Sequence, residues 1–492
     1  MRSSRLALVA CAVLSRIHVV FAALSQHTVL KVHGIARRVK VVACQHGDVQ
    51  SWLEARGGKS SVSITTENGL RGLVSDVDAA VGDVLLEVPI DSVLCDADGS
   101  GVRLPGAAPS WAASLPSKVQ LALQFIALKA AVDSDDWSPF VRSWPSSLPP
   151  LPDDSDVLAL SLSGAVEGGQ SRRTWASSTT SAWIKEQYEL AAEAFRRADE
   201  AADATTESAP DVGMAFPPLD SFSATVRLVG SRCLCLRAGA FGERRFLVPV
   251  LDMANHDGVS PSAHFAFCDG GASGGSGSIQ LVAARRISAG DAVTISYGEH
   301  TNAEFVLAYG FVPRDNPFDC EVVSLRQLLR AALSAGCTRA AASVESVDTV
   351  VESVTRVGLP TTGLRLLSTA PAEETVLSLR AALAPDGGAA LAALLEAIAM
   401  DELDEDELDD DDDDDASAAD CAAVVAAACA TLEASLAARQ EEEGPPATGT
   451  SHELLEELRA SRVRLLRSLQ RQMEAVATAP YSSWMSFQPA DL

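Results

Sequence analysis

The sequence predicts an α+β protein in which a strand-rich part is interrupted, and then followed, by helices. Residues 48–94 and 240–311 contain short apolar strand segments that end at glycine or proline. From about 95 to 220, and again beyond 320, apolar residues recur at the helical spacing of about 3.6 residues. Because 492 residues exceed the size of one hydrophobic core, we expect two domains.

In the strand-rich parts, two glycine–aspartate turns each precede a predicted buried strand. Residues 80–83 (AVGD) come before the strand at 84–88 (VLLEV), and residues 287–291 (ISAGD) come before the strand at 293–297. Gly-Asp sequences of this kind are typical of hairpin connections. This weak repeat predicts the same turn at both places. A further strand is predicted at 246–251.

In the helical parts, residues 119–132 and 181–201 have helical apolar spacing, whereas the proline-rich residues 138–152 predict a loop. Beyond 320, residues 371–384 and the leucine-rich stretch 454–473 predict amphipathic helices. Thirteen of the fifteen residues at 401–415 are acidic. Since like charges repel and cannot be buried, we interpret 401–415 as a disordered insertion in a helical domain at 320–492.

The charge and the cysteines exclude several classes of partner. About half of the net charge of −27 lies in residues 401–415, and the rest of the sequence is also acidic, so nucleic acid is not an expected partner. A protein or small-molecule substrate is favoured. The ten cysteines lack paired CxxC spacing, and we interpret them, including Cys233 and Cys235, as reduced structural thiols. We predict no metal site.

The first 47 residues contain seven basic residues and no acid. Their two apolar runs, 6–14 and 19–24, are too short to span a membrane. This pattern predicts a targeting leader, most similar to a plastid-type organellar one. The alternatives are a cytoplasmic protein, a signal for the secretory pathway, or an N-terminus wrongly assigned in the gene. We expect no stable membrane span and a monomer.

Two segments end apolar runs with polar side chains: residues 248–256 (VPVLDMANH) and 295–311 (ISYGEHTNAEFVLAYGF). Buried polar groups must find partners or do chemistry. Asp252, Asn255 and His256 alone could close a turn, since Asp and Asn favour local hydrogen bonds there. Their combination with Tyr297 and Asn302 predicts one shared site.

The order of these segments resembles the SET-domain protein methyltransferases. The most similar branch contains the lysine methyltransferase of the ribulose bisphosphate carboxylase large subunit and the actin-histidine methyltransferase. The resemblance extends over residues 64–312 and is carried by GLRGLVS with LLEVP, SPFVRSWPSSLP, VGSR at 229–232, VPVLDMANHD and ISYGEHTNAEFVLAYGFV. It implies a β-rich SET domain at 48–315 with a helical insertion at about 95–220, followed by an all-α C-terminal substrate-binding domain.

The resemblance also implies S-adenosylmethionine as cofactor and a role for each matching residue. Tyr297 is the implied catalytic residue. The implied cofactor-binding residues are Glu87, Arg232, Asn255, His256 and Tyr297, and the implied substrate-binding residues are Ser231, Asp252, Tyr309 and Phe311. Ser231, Arg232 and Asp252 are expected where backbone carbonyls face the methylated nitrogen, while Tyr309 and Phe311 are expected to form the channel wall.

The chemistry of methyl transfer suits these residue types. A lysine must lose its proton before it attacks a sulfonium, and a dry channel beside a positive charge lowers its pKa. Carbonyl oxygens and a tyrosine hydroxyl can accept weak C–H···O contacts from the polarised methyl group. We therefore predict methylation of a lysine in a non-histone protein, since no cysteine-rich segment follows the Tyr-Gly-Phe motif. The alternatives are a protein-histidine methyltransferase and a non-catalytic SET-derived module that binds peptides.

Two positions depart from the family pattern. The first glycine turn, Gly69-Leu70-Arg71-Gly72, is one residue longer than the commoner Gly-x-Gly. Thr301 stands where the branch usually has serine.

Overall fold

The computed structural model describes residues 47–67, 69–96, 112, 114–130, 137–145, 181–204, 216–237, 243–268, 277–337, 347–368, 370–384, 413–443 and 450–478. The described residues up to Pro317 form one compact unit, and those from Phe318 onward belong to another. Residues 1–46 of the predicted leader and 401–412 of the predicted acidic insertion lie outside the described residues.

The first unit contains three sheets in its described part. One has the strand order β1 (Lys59–Ser60), β4 (Val84–Pro89), β10 (Ser278–Ala283), β9 (Ala263–Cys268). The second has the order β2 (Val62–Glu67), β3 (Leu70–Ser75), β11 (Ala292–Ile295), β8 (Asn255–His256). The third has the order β5 (Leu94–Cys95), β7 (Glu243–Leu247), β6 (Leu234–Arg237). The β8–β11 pair is parallel, unlike its antiparallel neighbour β3–β11.

The predicted repeat of the glycine–aspartate turn is confirmed. Gly82 and Gly290 have φ of 90° and 89°, a conformation that side chains with a Cβ rarely adopt. In each turn the following aspartate accepts a hydrogen bond from the backbone N–H three residues before it, at 2.8 and 3.1 Å. Ala79 and Ile287 exchange backbone hydrogen bonds of 2.9 and 3.0 Å. The two turns therefore lie side by side.

The helices of the first unit are α1 (Gly47–Ala55), α2 (Ser117–Ala130), α3 (Ser138–Ser143), α4 (Ser181–Ala204), α5 (Leu219–Gly230) and α6 (Asn302–Tyr309). The helices predicted at 119–132 and 181–201 are confirmed as α2 and α4. The loop predicted for 138–152 is wrong for its first six residues, which form α3. Pro139 stands in the first turn of α3, where its missing N–H removes no helical hydrogen bond.

An aromatic cluster forms one end of the core of this unit. Trp137 and Phe140 are fully buried, and Trp52 lies 5.3 Å from Trp137 between ring centroids. Phe125 stacks on Trp144 at 4.3 Å. Aromatic pairs contribute about 0.5–1.5 kcal/mol beyond their buried area. The cluster thereby fixes the Trp144 ring at the side of the site described below.

The predicted strand at 246–251 is wrong beyond Leu247, where β7 ends. Pro249 has no N–H to continue the ladder. Its carbonyl instead accepts a 2.8 Å hydrogen bond from the Leu251 N–H, and Val250 between them has φ 70° and ψ −51°. These angles define a strained γ-turn, and residues held in such regions cost about 1–3 kcal/mol. A short 3₁₀ helix, Leu251–Met253, follows and leads into β8.

The second unit is mainly helical, as predicted. Its helices are α7 (Leu325–Ser334), α8 (Val347–Arg356), α9 (Glu373–Leu383), α10 (Asp413–Glu443) and α11 (Thr450–Thr478). A short antiparallel pair of strands that was not predicted, β12 (Cys320–Val323) and β13 (Leu364–Leu367), lies among them. Leucines of the predicted amphipathic stretch, including Leu458, Leu466 and Leu469, are fully buried.

The last three residues of the acidic run begin helix α10. This differs from the disordered insertion that the sequence predicts for them. Carboxylates in the first turn of a helix interact favourably with its dipole, by about 0.3–1 kcal/mol each at low ionic strength. Acidic residues at this position therefore favour the start of the helix.

Within the described residues, one stretch of α10, Ala419–Ala437, is long and apolar enough to cross a membrane by composition. About half of the residues in the most apolar part of this stretch are buried inside the protein. Val424, Val425 and Cys429 are fully buried and belong to the core of that unit. The same composition is expected of a core helix.

Candidate functional site

The parallel pairing of β8 with β11 joins the two polar segments that the sequence predicts to share a site. Asn255 lies opposite Thr294, and His256 lies opposite Ile295. The Asp257 N–H extends the pairing with a 3.0 Å hydrogen bond to the Ile295 carbonyl. Because the two strands run in the same direction, the residues just after β8 lie beside those just after β11.

His256 and Tyr297 are held together by the backbone. The Tyr297 N–H donates a 3.1 Å hydrogen bond to Nδ1 of His256, so the neutral ring carries its proton on Nε2. Burial lowers the pKa of His256 below its ordinary value, which favours this neutral form. His256 therefore orients the backbone on which the Tyr297 side chain is mounted.

The Tyr297 hydroxyl donates a 2.8 Å hydrogen bond to the Ala254 carbonyl. Burial raises the pKa of Tyr297 to about 12, so the phenol stays protonated at neutral pH. The bond fixes the direction of the hydroxyl, whose oxygen lone pairs can still accept contacts. Ala254 directly follows the 3₁₀ helix, and the γ-turn before that helix thus helps to set the position of this carbonyl.

Helix α6 supplies an aromatic wall next to Tyr297. Thr301 and Glu304 form a complete capping box at its start, so the threonine performs the N-cap role for which serine is more usual. Gly310, with φ 76°, ends the helix in a left-handed conformation. The Tyr309 ring centroid is 4.8 Å from that of Tyr297, and the buried Phe305 ring packs against Tyr309 at 5.4 Å.

Asp252 and Arg232 form a buried ion pair. Nη1 of Arg232 donates to the Asp252 carbonyl oxygen at 3.0 Å and to Oδ2 at 3.2 Å. The Asp252 side chain has no exposed surface. Burial raises the pKa of its carboxyl, and the charges of Arg232 and Arg71 oppose that shift. The pair fixes both the carbonyl and the carboxylate of Asp252.

Two residues that the sequence did not identify support this pair. Trp144, from the aromatic cluster, lies with its ring 5.4 Å from the Arg232 guanidinium, within cation–π range. Arg71 on β3 donates through Nη1 to the Ser143 carbonyl. Burial and the charge of Arg232 lower the pKa of Arg71. Two cationic side chains therefore share the neighbourhood of one carboxylate.

The second glycine of the first turn packs against Asn255. A Cβ added to Gly72 would lie 2.5 Å from Nδ2 of Asn255. Gly69, by contrast, has φ 82° at the tip of the β2–β3 hairpin and would meet no atom within 4 Å. The two glycines thus have different tasks: Gly69 makes the turn, and Gly72 leaves room for the Asn255 amide.

A cavity of about 530 Å³ opens over these residues. This lies within the range of about 300–1,000 Å³ that is usual for ligand sites. Five of the site residues predicted from the sequence line it: Ser231, Arg232, Asp252, Tyr297 and Tyr309. The structure therefore brings together the predicted catalytic tyrosine and most of the predicted substrate-binding residues.

Four predicted residues do not line this cavity. Asn255 and His256 belong to β8 and adjoin the site through the contacts described above, and Phe311 packs on Phe305 at 5.3 Å between ring centroids. Glu87 on β4 is bonded instead to Lys59, at 2.8 Å, and to Ser278, at 3.3 Å. The hydrogen bond from Lys59 lowers the pKa of Glu87. A cofactor role for Glu87 stays a prediction.

Further residues line the cavity without having been predicted for the site, among them Cys233, Cys235, Arg245, His264 and His300. The sequence favours a packing role for Cys233 and Cys235, although both reach the cavity. No local pattern identifies Arg245 or His264, since only the sheet pairing brings them here. Within the described part of the protein, no group of three or more His, Cys, Asp or Glu side chains is placed to hold a metal ion.

The strand pairings, the parallel pair of β8 and β11 and the capped helix that follows define a SET-domain fold, as comparison with solved structures shows. The protein is similar to a crystal structure of the SET domain of LSMT bound to lysine and AdoHcy, with 18% identity, a TM-score of 0.54, and coverage of 92% of this chain and 97% of that one. It is also similar to Rubisco LSMT bound to AdoMet, with 18% identity, a TM-score of 0.51, and coverage of 92% and 96%.

No family model matches the sequence, and neither does any curated protein. At 18% identity, the likeness to the solved structures shows the fold. The predicted resemblance is therefore confirmed at the level of the fold, together with the α+β class.

Proposed function

We propose that this protein is an S-adenosylmethionine-dependent protein N-methyltransferase that acts on a lysine side chain of a non-histone protein. The observation that carries the proposal is the Tyr297 hydroxyl, fixed by the Ala254 carbonyl in a cavity that also contains Tyr309 and the Arg232–Asp252 pair. The similar LSMT structures are bound to AdoMet, or to lysine with AdoHcy, which supports the same pair of ligands here.

The polar atoms of the site fit this cofactor. Among the described residues, buried Nε of Arg232, Oδ1 of Asp252 and Nε2 of His256 have no hydrogen-bond partner. Buried polar atoms without partners cost about 1–3 kcal/mol each. A ligand with both a carboxylate and an ammonium group, such as S-adenosylmethionine, offers partners to the arginine and the aspartate. Arg232, Asn255 and His256 would hold it.

When bound, the cofactor supplies an electrophilic methyl group on its sulfonium. The protein contributes orientation: the tyrosine hydroxyl and the Ala254 carbonyl are preset oxygen acceptors for polarised C–H groups. The rings of Tyr297 and Tyr309 exclude water and favour the neutral amine that must attack. By holding the acceptor nitrogen in a fixed position and direction, these residues would supply most of the rate enhancement.

Lysine is preferred to histidine as the acceptor because of the apolar part of the cavity wall. Leu234, Leu251, Phe265 and Ile295 line it and suit the aliphatic stem of a lysine. Two other functions remain candidates: methylation of histidine, and peptide binding without turnover. Hydrolysis of the labelled product to amino acids separates methyl-lysine from methylhistidine, and the peptide-binding module would yield neither.

The first test of the proposal is stabilisation by the cofactor. At a concentration one hundred times the Kd, S-adenosylmethionine should raise the free energy of unfolding by about 2.7 kcal/mol, measured as a thermal shift. The Asn255→Ala variant is the control and should show little shift. A wild-type protein that is not stabilised by S-adenosylmethionine or by its demethylated product would exclude the proposal.

Replacement of Gly72 by alanine should weaken cofactor binding. The new methyl group would displace the Asn255 amide, and we expect a loss of roughly ten-fold in affinity, about 1.4 kcal/mol. Titration calorimetry measures it. The matched control is Gly69→Ala, which meets no neighbour but forces alanine to a positive φ at a cost of about 1–2 kcal/mol in stability. Equal cofactor affinity in the two variants would contradict the proposed role of Gly72.

We further propose an organellar location, a monomeric state, and substrate binding by the helical second unit. The acid-free basic leader supports the first of these. Fusion of residues 1–47 to a fluorescent protein tests it, since a diffuse cytoplasmic signal would contradict an organellar leader.

A further inference from the structure

Arg245 on β7 is a cavity-lining cation without a counter-charge. It lines the 530 Å³ cavity, yet within the described part of the protein its guanidinium forms no ion pair and no hydrogen bond. Its backbone N–H and carbonyl form hydrogen bonds with the Asp96 side chain and backbone N–H, respectively. Arg232, the other arginine of the cavity, is by contrast bonded to Asp252. A half-buried guanidinium favours an anionic partner, because charged groups removed from water need compensation.

The sheet pairing fixes the face on which Arg245 lies. Arg245 is directly opposite Cys235 in the antiparallel β6–β7 pair, so the two side chains share a face, and both line the cavity. The charge of Arg245 also reaches the buried Tyr309 hydroxyl, whose pKa it lowers against the larger effect of burial. The side chain of Arg245 therefore lies on the same face of the sheet as Cys235, near enough to Tyr309 for an electrostatic interaction.

The cavity offers Arg245 no carboxylate of its own. Asp252 is the one acidic residue among the described lining side chains, and it is bonded to Arg232. Glu243, two residues before Arg245 on β7, accepts a hydrogen bond from the Cys235 thiol at 3.2 Å and does not line the cavity. The remaining ionisable side chains of the lining, besides the thiols and the tyrosines, are His264 and His300. Among the described lining side chains, no carboxylate is therefore left to balance the charge of Arg245.

We propose that Arg245 binds a carboxylate of the protein substrate, so that the enzyme selects a target residue that has an acidic group beside it. This inference rests on the proposed function and names the class of substrate. An aspartate or glutamate side chain and the free C-terminus of a polypeptide offer the same chemistry.

The test uses fluorescent peptides with one central lysine and with each flanking position set in turn to Glu, Gln or Lys. Each peptide is made with an amidated and with a free C-terminus. Binding to the full-length protein, saturated with AdoHcy, is measured by anisotropy, and methylation is measured in parallel. The proteins are the wild type, Arg245→Gln, Arg245→Glu, and the control Arg237→Gln, which changes an exposed arginine outside the cavity lining.

We expect the wild type and the Arg237→Gln control to bind peptides with Glu at one or two flanking positions roughly ten-fold more tightly than the same peptides with Gln. Arg245→Gln should remove that preference, and Arg245→Glu should transfer it to Lys. If affinity increases with a free C-terminus and not with a flanking Glu, the carboxylate site is supported and its ligand is a C-terminal carboxylate. A wild type that binds Glu and Gln peptides equally, or binds neither, overturns the inference, as does an unchanged preference in Arg245→Glu.

The outcome for the proposed function is read separately. Thermal stabilisation by S-adenosylmethionine reports the fold and the cofactor site in all four proteins. If S-adenosylmethionine still stabilises the protein and peptides are still methylated, but Glu peptides are not preferred, then the carboxylate site is excluded and the proposed methyltransferase function is not.

Discussion

We expect the Tyr297→Phe variant to lose roughly 10²-fold in kcat, with cofactor affinity nearly unchanged. The phenylalanine ring keeps its contacts with Tyr309 and His256, and the backbone hydrogen bond to His256 persists. What disappears is the 2.8 Å hydrogen bond to the Ala254 carbonyl, together with the acceptor that orients the methyl group in the proposed reaction. Single-turnover rates measure the chemical step, and calorimetry measures cofactor binding.

Tyr188→Phe is the matched control for this substitution. Its hydroxyl also donates to a backbone carbonyl, that of Pro217 at 3.2 Å, but Tyr188 does not line the cavity. We expect it to change stability slightly and kcat not at all. If Tyr297→Phe turns over as fast as Tyr188→Phe, then Tyr297 has no part in the mechanism.

The Arg232→Met variant should lose about 3–5 kcal/mol of unfolding free energy at pH 7, because it leaves the Asp252 carboxylate buried without its partner. The double variant Arg232→Met/Asp252→Asn should recover most of that loss, since position 252 then carries no charge. Urea unfolding measures both variants. Arg237→Met, at an exposed site on β6, should stay within about 0.5 kcal/mol of the wild type.

The loss in Arg232→Met should depend on pH in a defined direction. Burial raises the pKa of Asp252 above its ordinary value of 3.8, and removal of the arginine should raise it further. A group whose pKa is raised by folding contributes stability that is complete below the unfolded pKa and is lost as pH rises through the folded pKa. The deficit should therefore shrink as pH falls toward about 4. A deficit that is independent of pH, or that persists in the double variant, would contradict this account.

The parts of the fold that could be predicted from the sequence are those set by local patterns. Helical periodicity located α2 and α4, and the repeated glycine–aspartate turns located β4 and β11. Asn255, His256 and Tyr297 could be identified because polar residues closely followed apolar runs. The capping box of Thr301 and Glu304 also has a recognisable local spacing, although it was not predicted.

The remaining parts depend on contacts between distant segments. The residues around Arg71 in the sequence give no sign of an ion pair, and only the folded structure places Arg71 near Asp252. The sequence around Arg245 does not indicate a cavity, because the position of Arg245 in the cavity lining follows from the pairing of β6 with β7. The γ-turn at Val250 was not predicted because a β-branched residue rarely adopts positive φ, and surrounding packing must enforce it.

The paired glycine–aspartate turns have a consequence for how this protein folds. The hydrogen bond from the Ala289 N–H to Asp78 joins positions 211 residues apart, and that between Ser278 and Glu87 spans 191 residues. Closing such loops costs conformational entropy before the stabilising contacts can form, so we expect slow folding. The same entropy grows only by about 0.6 kcal/mol for each doubling of loop length. The helical region enclosed between these strands can therefore change in length at little thermodynamic cost, while the sheets that build the site keep their register.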